Sequence, residues 1–536
     1  MRAAPHGYEE FDARDTLPCV IAKRAAWTPH RPWVVDLSNG RTTTFAEAQE
    51  LILTWADALR RLGVAPGQRV ASMMPNSIER VAAWLGTGWA RGFDVPLNTA
   101  FRGYMLRYTL ENSGASVALV AERFLDRVVE VADDVPALRT VVVTDAAGDV
   151  GPPLAGGRVR VVGIDEFLSG ATPAHGLATP QAWDVATIAY TSGTTGPSKG
   201  VVLPWGMVTF GMGLLDDLGP DDAIYSPFPM FHMSGMGTLG AAAYMGGRSI
   251  IRESFDTTAF WDDIDSHDAT MTLVVPAMAH WLLSQPPSPD DREHALRHVI
   301  ISPIIHAFGE RFGVKMRTHY GMTEAGNVTS RRDVFDESAT CGKPRPGYEV
   351  RIVDEHDYEV AVGEVGELTV RTAEPWWLCI GYWNMPEKTA EAWRNGWFHT
   401  GDGFRRDEAG DYHFVDRQKD AIRRRGENIS SFEVEQIVLQ HEAIAECAAI
   451  GIETSAGEQD VKVCVVLHAE AELDPAQLVE FLIPLMPRYM VPRFVEVMDA
   501  LPKTEATMRI QKAKLREEPL SPATWDREQA GVVVAK

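Results

Sequence analysis

The first part of the chain alternates between helical and strand-like spacing of its hydrophobic residues. Apolar residues recur at helical intervals over residues 45–62 and 77–90, whereas residues 69–74 and 116–120 are short apolar runs of strand length. The alternation resumes near residue 186 and continues to about residue 321. Strands that alternate with helices are typical of βαβ units around a mostly parallel sheet. The pattern therefore predicts a large α/β body made of doubly wound subdomains.

The pattern changes toward the C-terminus. Residues 350–370 alternate as strands do, which predicts a small β-barrel-like subdomain attached to the α/β body. A basic run, RQKDAIRRR at residues 417–425, marks a sharp shift in charge. After it, a helix, two strands and another helix are predicted between residues 431 and 485. We therefore predict an N-terminal domain over residues 1–418 and a small α+β C-terminal domain over residues 419–536.

Composition narrows the possible classes of protein. The 536 residues carry 74 acidic and 51 basic side chains, a formal charge of −23, which disfavours binding to nucleic acid or to an anionic membrane. No apolar run approaches the roughly 18–20 residues of a membrane helix, and the first residues lack the apolar segment of a signal peptide. The five cysteines form no CxxC pair. We expect a cytoplasmic monomer or homodimer whose partners are small molecules.

Residues 191–200, TSGTTGPSKG, carry the strongest chemical signal in the sequence. They follow the strand-like segment TIAY and combine hydroxyl groups, glycines and one lysine, all of which suit a loop that grips a polyphosphate. The order of the residues does not match the Walker A pattern GxxxxGK[ST] in any register. The predicted phosphate-binding residues are Thr191, Ser192, Gly193, Thr194, Thr195 and Lys199.

This loop resembles the phosphate loop of the adenylate-forming superfamily, which includes acyl-CoA synthetases, luciferases and the adenylation domains of peptide synthetases. Further motifs follow in that family's order, and the sequence RRRGENISSFEVE is similar to that of the crotonobetaine/carnitine-CoA ligase-like branch. The resemblance implies an acid–thiol ligase that uses ATP, Mg²⁺ and coenzyme A, with a C-terminal domain that turns about a hinge. The motifs are PMFHMSG at 229–235, YGMTE at 320–324, GWFHTGD at 396–402 and DRQKDAIRRRGE at 416–427.

The resemblance also implies a role for individual residues. It implies catalytic roles for Lys199, His232, Thr323, Glu324 and Arg509, a magnesium site at Thr191 and Glu324, and a hinge at Lys419. The implied acyl pocket contains His232, Met233, Gly321 and Met322. Coenzyme A is expected at Arg423, Arg424, Arg425, Gly426 and Glu427, although a solvated basic face would also explain these arginines. Besides the loop, the implied nucleotide-binding residues are Ser302, Pro303, His319, Tyr320, Gly321, Met322, Thr323, Asp402, Phe414 and Arg417.

The sequence departs from the family in three places, one of which is Pro204–Trp205, where the family often has a small residue and a histidine. In LPKTEATMRIQK at residues 501–512, Arg509 stands where the family has its catalytic lysine and Met508 stands where it has glycine. Arginine keeps the charge but is longer and planar, so Lys503 or Lys512 is an alternative source of the cation. The segment 301–303, Ile-Ser-Pro, replaces a Gly-Ala-Pro-like turn, which predicts a reshaped acyl pocket.

Three functions are compatible with the sequence. The first is a complete acyl-CoA synthetase that forms an acyl-adenylate with release of pyrophosphate and then transfers the acyl group to coenzyme A. The second is an enzyme specialised for one half-reaction in natural-product biosynthesis, which Arg509 suggests. The third is a non-catalytic homologue that binds a nucleotide, a function that the complete phosphate loop and Glu324 disfavour.

Overall fold

The computed structural model describes residues 11–12, 14–148, 150–191, 198–211, 218–334, 340–417, 422–424, 427–429, 431–453, 459–486, 488–504, 508 and 510–532. These residues fall into two units. The first unit contains the described residues up to 191 together with 198–349 and 370–398. The second contains residues 350–369 and the described residues from 399 onward.

An eight-stranded sheet forms one layer of the first unit. Its strands are short and almost entirely buried, because residues such as those of Val117–Val120 are apolar on both faces of the sheet. Most neighbours run parallel, as the alternation of strands and helices predicts. Lys199–Pro204 runs antiparallel to both of its neighbours. In order across the sheet, the strands are Gly381–Tyr382, Lys199–Pro204, Val185–Thr191, Phe93–Pro96, Arg69–Met73, Val117–Val120, Thr140–Val143 and Arg160–Gly163.

A nine-stranded sheet forms a second layer of the same unit. Its central strands are parallel, and antiparallel pairs close it at both edges. Phe260, Phe308 and Phe312 pack in the core cluster against it. In order, the strands are Lys343–Pro344, Gly326–Val334, Lys315–Met322, His298–Ile300, Met271–Leu273, Ala223–Ser226, Arg248–Ile251, Pro32–Asp36 and Arg41–Thr44.

The helices of the first unit confirm the predicted helical segments. Thr44 is the N-cap of the helix Phe45–Arg61, and its side chain accepts a hydrogen bond from the Glu47 amide in a capping box. Across the described ranges, no helix combines the length and the apolarity needed to span a bilayer. The α-helices are Leu17–Trp27, Phe45–Arg61, Ile78–Trp89, Gly103–Ser113, Leu125–Val131, Ile164–Leu168, Trp205–Gly211, Met233–Met245, Phe260–Ser266, Pro276–Leu283, His306–Phe312 and Pro386–Ala392, with short 3₁₀ turns at Glu122–Phe124, Ala132–Asp134 and Ala155–Gly157.

The β-rich segment predicted from residue 350 onward forms part of a five-stranded sheet. Antiparallel pairing joins its strand Trp397–Arg406 to two others, and one β-bulge interrupts the register between Gly403 and Phe404. Its strands are Tyr348–Val353, Gly366–Thr372, Trp397–Arg406 and Trp393–Arg394, with Tyr412–Arg417 pairing beside Trp397–Arg406.

The rest of the second unit is the small α+β module that the sequence predicts. Its four-stranded sheet packs against helices through a core that includes Val434, Val463 and Leu478. The domain boundary predicted between residues 418 and 419 lies outside the described residues and stays a prediction. The elements are Ile422–Arg424 paired with Glu427–Ile429, the sheet of Ile444–Glu453, Gln459–Leu467, Phe494–Val497 and Trp525–Asp526, and the helices Ser431–Val438, Pro475–Leu482 and Lys512–Glu517.

Candidate active site

The predicted phosphate loop is carried by a β-hairpin of the eight-stranded sheet. Thr191 ends one strand, Lys199 begins the next, and the two residues are direct partners in the antiparallel ladder. The sheet therefore fixes both ends of the loop when the protein folds. Ser192, Gly193, Thr194 and Thr195 lie outside the described residues, so their predicted contacts with phosphate stay predictions.

Glu324 and Lys199 are linked through Tyr382. Glu324 is buried in the turn between two strands, and its Oε1 accepts a hydrogen bond of 3.0 Å from the Tyr382 hydroxyl. The Lys199 ammonium lies 4.4 Å from the centroid of the Tyr382 ring. Burial, reinforced by the charge of Glu324, raises the pKa of Tyr382, so the hydroxyl keeps its proton and acts as the donor. Two residues that motif comparison predicted thus meet a third that it did not single out.

Backbone pairing explains how Tyr382 reaches this position. Tyr382 is the ladder partner of Val201, two residues beyond Lys199 on the same strand. The Cys379 amide donates to the Glu324 carbonyl at 3.0 Å, and the Trp383 amide donates to the Gly200 carbonyl at 2.7 Å. The GYW sequence at 381–383 was the one local feature that could have pointed to Tyr382 as a site residue. Only the strand register, however, reveals that Tyr382 lies beside Glu324.

Ser302 joins two segments at one end of the nine-stranded sheet. Its hydroxyl donates to the His319 carbonyl at 2.7 Å, accepts from the His319 amide at 3.0 Å, and lies 2.9 Å from the Thr318 hydroxyl. Burial, together with the charge of Arg345, lowers the pKa of His319 to about 4, so its ring is neutral at physiological pH. Together with Pro303, these residues form the turn that the family resemblance predicts to contact the nucleotide, and that contact stays a prediction.

The segment 320–324 packs closely against the strand that follows it. Tyr320 is buried, and its hydroxyl lies 3.7 Å from the Met322 sulfur. A Cβ atom on Gly321 would lie 2.6 Å from the Gly326 carbonyl oxygen, so only glycine allows this approach of the two strands. Thr323 is half-buried beside Glu324.

His232 and Met233 stand at the start of the helix Met233–Met245, and a buried asparagine holds the chain that leads to them. The Asn76 amide nitrogen donates to the Phe228 carbonyl at 2.7 Å and to the Arg252 carbonyl at 2.8 Å. Its oxygen accepts from the Met230 amide at 2.7 Å. Sequence reasoning missed Asn76, because a single asparagine after a strand carries no motif.

Asp402 and Arg417 are ladder partners on two antiparallel strands of the second unit. Asp402 is buried, while the side chain of Arg417 is not among those described. Phe414 makes edge-on contacts with Phe404 and Phe432, with ring centroids 5.6 Å apart in each pair. The structure therefore places the backbone of the predicted ribose-binding residues on one hairpin.

The predicted coenzyme A residues separate into two groups. Arg424 is 4% exposed, its Nη2 lies 2.8 Å from Asp460 Oδ1, and its Nη1 donates to the Tyr489 carbonyl at 3.0 Å. This geometry gives Arg424 a structural role in place of the predicted contact with coenzyme A, because its charge is neutralised inside the unit. Arg423 and Glu427 lie on paired strands, with side chains that are not described. Lys419, Arg425 and Gly426 lie outside the described residues.

Described residues on both sides of Met508 pair with each other. Lys503 and Ile510 pair through an antiparallel bridge, and Met508 adopts a left-handed backbone with φ of 52°. Arg509 lies outside the described residues, so its predicted role stays a prediction. Lys503 forms an ion pair with Glu446, and Lys512 pairs with Glu435. The two lysines considered as replacements for the catalytic lysine are therefore held by carboxylates of the second unit.

A family model described as AMP-binding enzyme matches residues 21–383, and a model described as AMP-binding enzyme C-terminal domain matches residues 433–507. The chain belongs to the AMP-binding enzyme family. Within this family it is an enzyme of the AMP-forming acyl-CoA ligase group, which sets aside the alternative of a non-catalytic homologue.

Similar AMP-binding enzymes cover almost the whole chain. A crotonobetaine/carnitine–CoA ligase of Shigella flexneri is 30% identical over 503 residues, which is 90% of this chain and 95% of the relative. ATP-bound MatB from Rhodopseudomonas palustris is 27% identical with a TM-score of 0.82, covering 94% of this chain and 98% of the other. A benzoate CoA ligase from Burkholderia xenovorans LB400 is 25% identical with a TM-score of 0.82, covering 94% and 99%. The predicted branch and fold class are confirmed.

Proposed function

We propose that this AMP-binding enzyme activates a carboxylic acid with ATP and passes the acyl group to coenzyme A. The observation that carries the proposal is the arrangement of Tyr382 and Glu324 beside Lys199, which forms one end of the phosphate loop opposite Thr191. An ammonium and a carboxylate beside a phosphate loop are the groups that a magnesium–triphosphate substrate requires.

In the first step, a carboxylate oxygen of the acid attacks the α-phosphorus of ATP, and the bond to pyrophosphate breaks. Lys199 and Thr323 donate to phosphate oxygens and stabilise the charge that develops there. Glu324, with the hydroxyl of Thr191, offers the few oxygen ligands that Mg²⁺ takes from proteins. When bound, Mg²⁺ neutralises charge on the departing pyrophosphate.

In the second step, the thiolate of coenzyme A attacks the acyl carbon, and AMP leaves. Between the two steps, the C-terminal domain rotates about a hinge at Lys419. Asp402 and Arg417 bind the ribose, and His232 lies at the entrance of the acyl pocket. Alternation of this kind protects the reactive anhydride from water. Arg423 and Arg425 are the candidate phosphate ligands for coenzyme A, whereas Arg424 is paired with Asp460.

The test is to incubate the enzyme with magnesium–ATP and a mixed library of carboxylic acids, with and without coenzyme A. Mass spectrometry then identifies the acyl-adenylate and the thioester. We expect one acid, or a few related acids, to give both products. Absence of any adenylate and any thioester across the library would overturn the proposal.

A second candidate is an enzyme efficient in only one half-reaction. Arg509 at the position of the family's lysine favours it, and the preceding residue, Met508, has a left-handed backbone that is strained for a residue other than glycine. Acid-dependent ATP–pyrophosphate exchange measures the first half-reaction, and conversion of a supplied acyl-adenylate by coenzyme A measures the second. Turnover of the supplied adenylate without exchange would favour the second candidate. We expect exchange in the wild type, and Arg509→Lys to preserve or raise it.

We also infer a cytoplasmic monomer or homodimer without nucleic acid or membrane partners. The formal charge of −23 supports the absence of nucleic acid and anionic membrane partners, because a strongly acidic surface repels polyanions. Light scattering behind a sizing column measures the mass of the assembly, and binding to anionic vesicles or to DNA at physiological salt would contradict the inference.

A further inference from the structure

Tyr382 contacts two oppositely charged side chains through different parts of its ring system. The hydroxyl donates to Glu324 Oε1 at 3.0 Å, and the face of the ring lies 4.4 Å from the Lys199 ammonium. Within the described part of the chain, Lys199 and Glu324 form no direct ion pair with each other. A neutral side chain is thus the shared partner of a cation and an anion.

We propose that Tyr382 is a positioning residue that keeps Lys199 and Glu324 separate and ready for magnesium–ATP. The proposal rests on the proposed function, in which Lys199 meets phosphate and Glu324 meets the metal. If these two groups paired directly, binding of the substrate would first have to break that ion pair. A hydrogen bond from a neutral phenol and a contact with its ring are weaker than a direct ion pair at low dielectric constant.

The position of Tyr382 does not depend on either charged side chain. The strand Gly381–Tyr382 is fixed by its ladder to Val201 and Val202, and the Tyr382 amide donates to the Thr389 hydroxyl at 2.9 Å. Gly381 has φ of 150° and packs against Thr389, where a Cβ atom would lie 2.5 Å from Cγ2. The backbone therefore holds the phenol in place before any substrate arrives.

The contact also reaches Glu324 through its main chain. The amide of Cys379 donates to the Glu324 carbonyl at 3.0 Å, three residues before Tyr382 donates to the carboxylate. One short segment thus fixes both the backbone and the side chain of Glu324. Because the same segment pairs with the strand of Lys199, it sets the spacing of the two charged groups.

Three variants separate these contacts. Tyr382→Phe keeps the ring beside Lys199 and removes the hydrogen bond to Glu324, whereas Tyr382→Ala removes both contacts. Tyr348→Phe is the control, since Tyr348 is a second tyrosine near Glu324 whose hydroxyl donates at 2.7 Å to the Ala325 carbonyl and not to the Glu324 carboxylate; Tyr348 is buried, whereas Tyr382 is half-buried. Calorimetric titration with ATP, with and without Mg²⁺, gives the affinity, and Mn²⁺ titration followed by electron paramagnetic resonance reports metal binding.

We expect Tyr382→Phe to weaken the metal-dependent binding of ATP by about tenfold while metal-free ATP binding stays unchanged. Tyr382→Ala should weaken both, and Tyr348→Phe should weaken neither. Equal metal dependence in Tyr382→Phe and in the wild type would overturn the inference, and this isosteric variant decides the question if Tyr382→Ala does not fold. A wild-type enzyme that binds no magnesium–ATP would instead overturn the proposed function, so the two failures are distinguishable.

Discussion

Lys512 and Glu435 form an ion pair inside the second unit, with Nζ 2.7 Å from Oε1 and both side chains 13% exposed. The same ammonium contacts the Ser431 hydroxyl. Burial raises the pKa of Glu435, and the neighbouring ammonium opposes that shift. Because both groups are largely withdrawn from water, each depends on the other for its charge to be tolerated. Lys512 therefore acts as a structural cation in this arrangement.

Removal of Lys512 alone should destabilise the protein strongly. Lys512→Met leaves the Glu435 carboxylate buried without its cation, and we expect a loss of about 3 kcal/mol in the free energy of unfolding, measured by urea denaturation. Replacing both residues by methionine should recover most of this loss and leave ATP–pyrophosphate exchange intact. Lys388→Met is the control, since its pair with Glu391 is exposed, and should change stability by less than about 0.5 kcal/mol. Loss of exchange in a folded double variant would show that Lys512 is catalytic.

Asn76 should matter for both stability and the binding of the acid. Asn76→Ala removes three hydrogen bonds, two of them buried and one partly buried, and leaves two carbonyls and the Met230 amide without this partner. We expect a loss of about 2–3 kcal/mol in unfolding free energy, together with a raised KM for the acid because the chain before His232 loosens. The exposed Asn39→Ala is the control. A KM for the acid equal to that of the wild type would contradict the second expectation.

Met508→Gly should stabilise the protein. The left-handed backbone at φ of 52° brings the Cβ atom of any L-residue close to its own carbonyl, and glycine has no such atom. We expect a gain of about 0.5–1 kcal/mol in unfolding free energy. Met508→Ala keeps the Cβ atom and should give no gain. If alanine stabilised as much as glycine, the gain would come from the side chain and not from the backbone.

His319 should make stability fall as the pH decreases. Burial lowers its pKa from 6.5 to about 4, so between these values the unfolded chain binds a proton that the folded protein does not. This contribution is complete above pH 6.5 and is lost progressively toward pH 4, up to about 3 kcal/mol. Urea denaturation from pH 4 to 7 should therefore show a shallower pH dependence for His319→Gln than for the wild type. The exposed His356→Gln should keep the wild-type slope.

Local patterns in the sequence were sufficient to predict many elements. Phe45–Arg61 follows from the helical spacing of its apolar residues, which is a local property. Ile444–Glu453 and Gln459–Leu467 likewise follow from apolar runs of strand length, and their partner is the next strand along the chain.

The contacts that assemble the candidate site depend on distant partners and escaped prediction. Tyr382 donates to a carboxylate 58 positions away, and Asn76 accepts from an amide 154 positions away. Arg424 shows the opposite error, because a basic run suggested an exposed ligand site while burial against Asp460 gives it a structural role. Strand order and register decide such contacts, and neither can be derived from local periodicity.

The hydrogen bonds of Asn76 also have a mechanical consequence. Asn76 follows the strand Arg69–Met73 of the eight-stranded sheet, whereas its carbonyl partners follow Ala223–Ser226 and Arg248–Ile251 of the nine-stranded sheet. The side-chain amide of Asn76 thus connects the carboxyl ends of strands in the two sheets by hydrogen bonds. The carboxyl ends of the strands are where α/β proteins bind their ligands. The layers cannot part there without breaking buried hydrogen bonds. The range of acids that this chain accepts should therefore depend on the volume of the side chains at the carboxyl ends of these strands, and not on the distance between the two sheets.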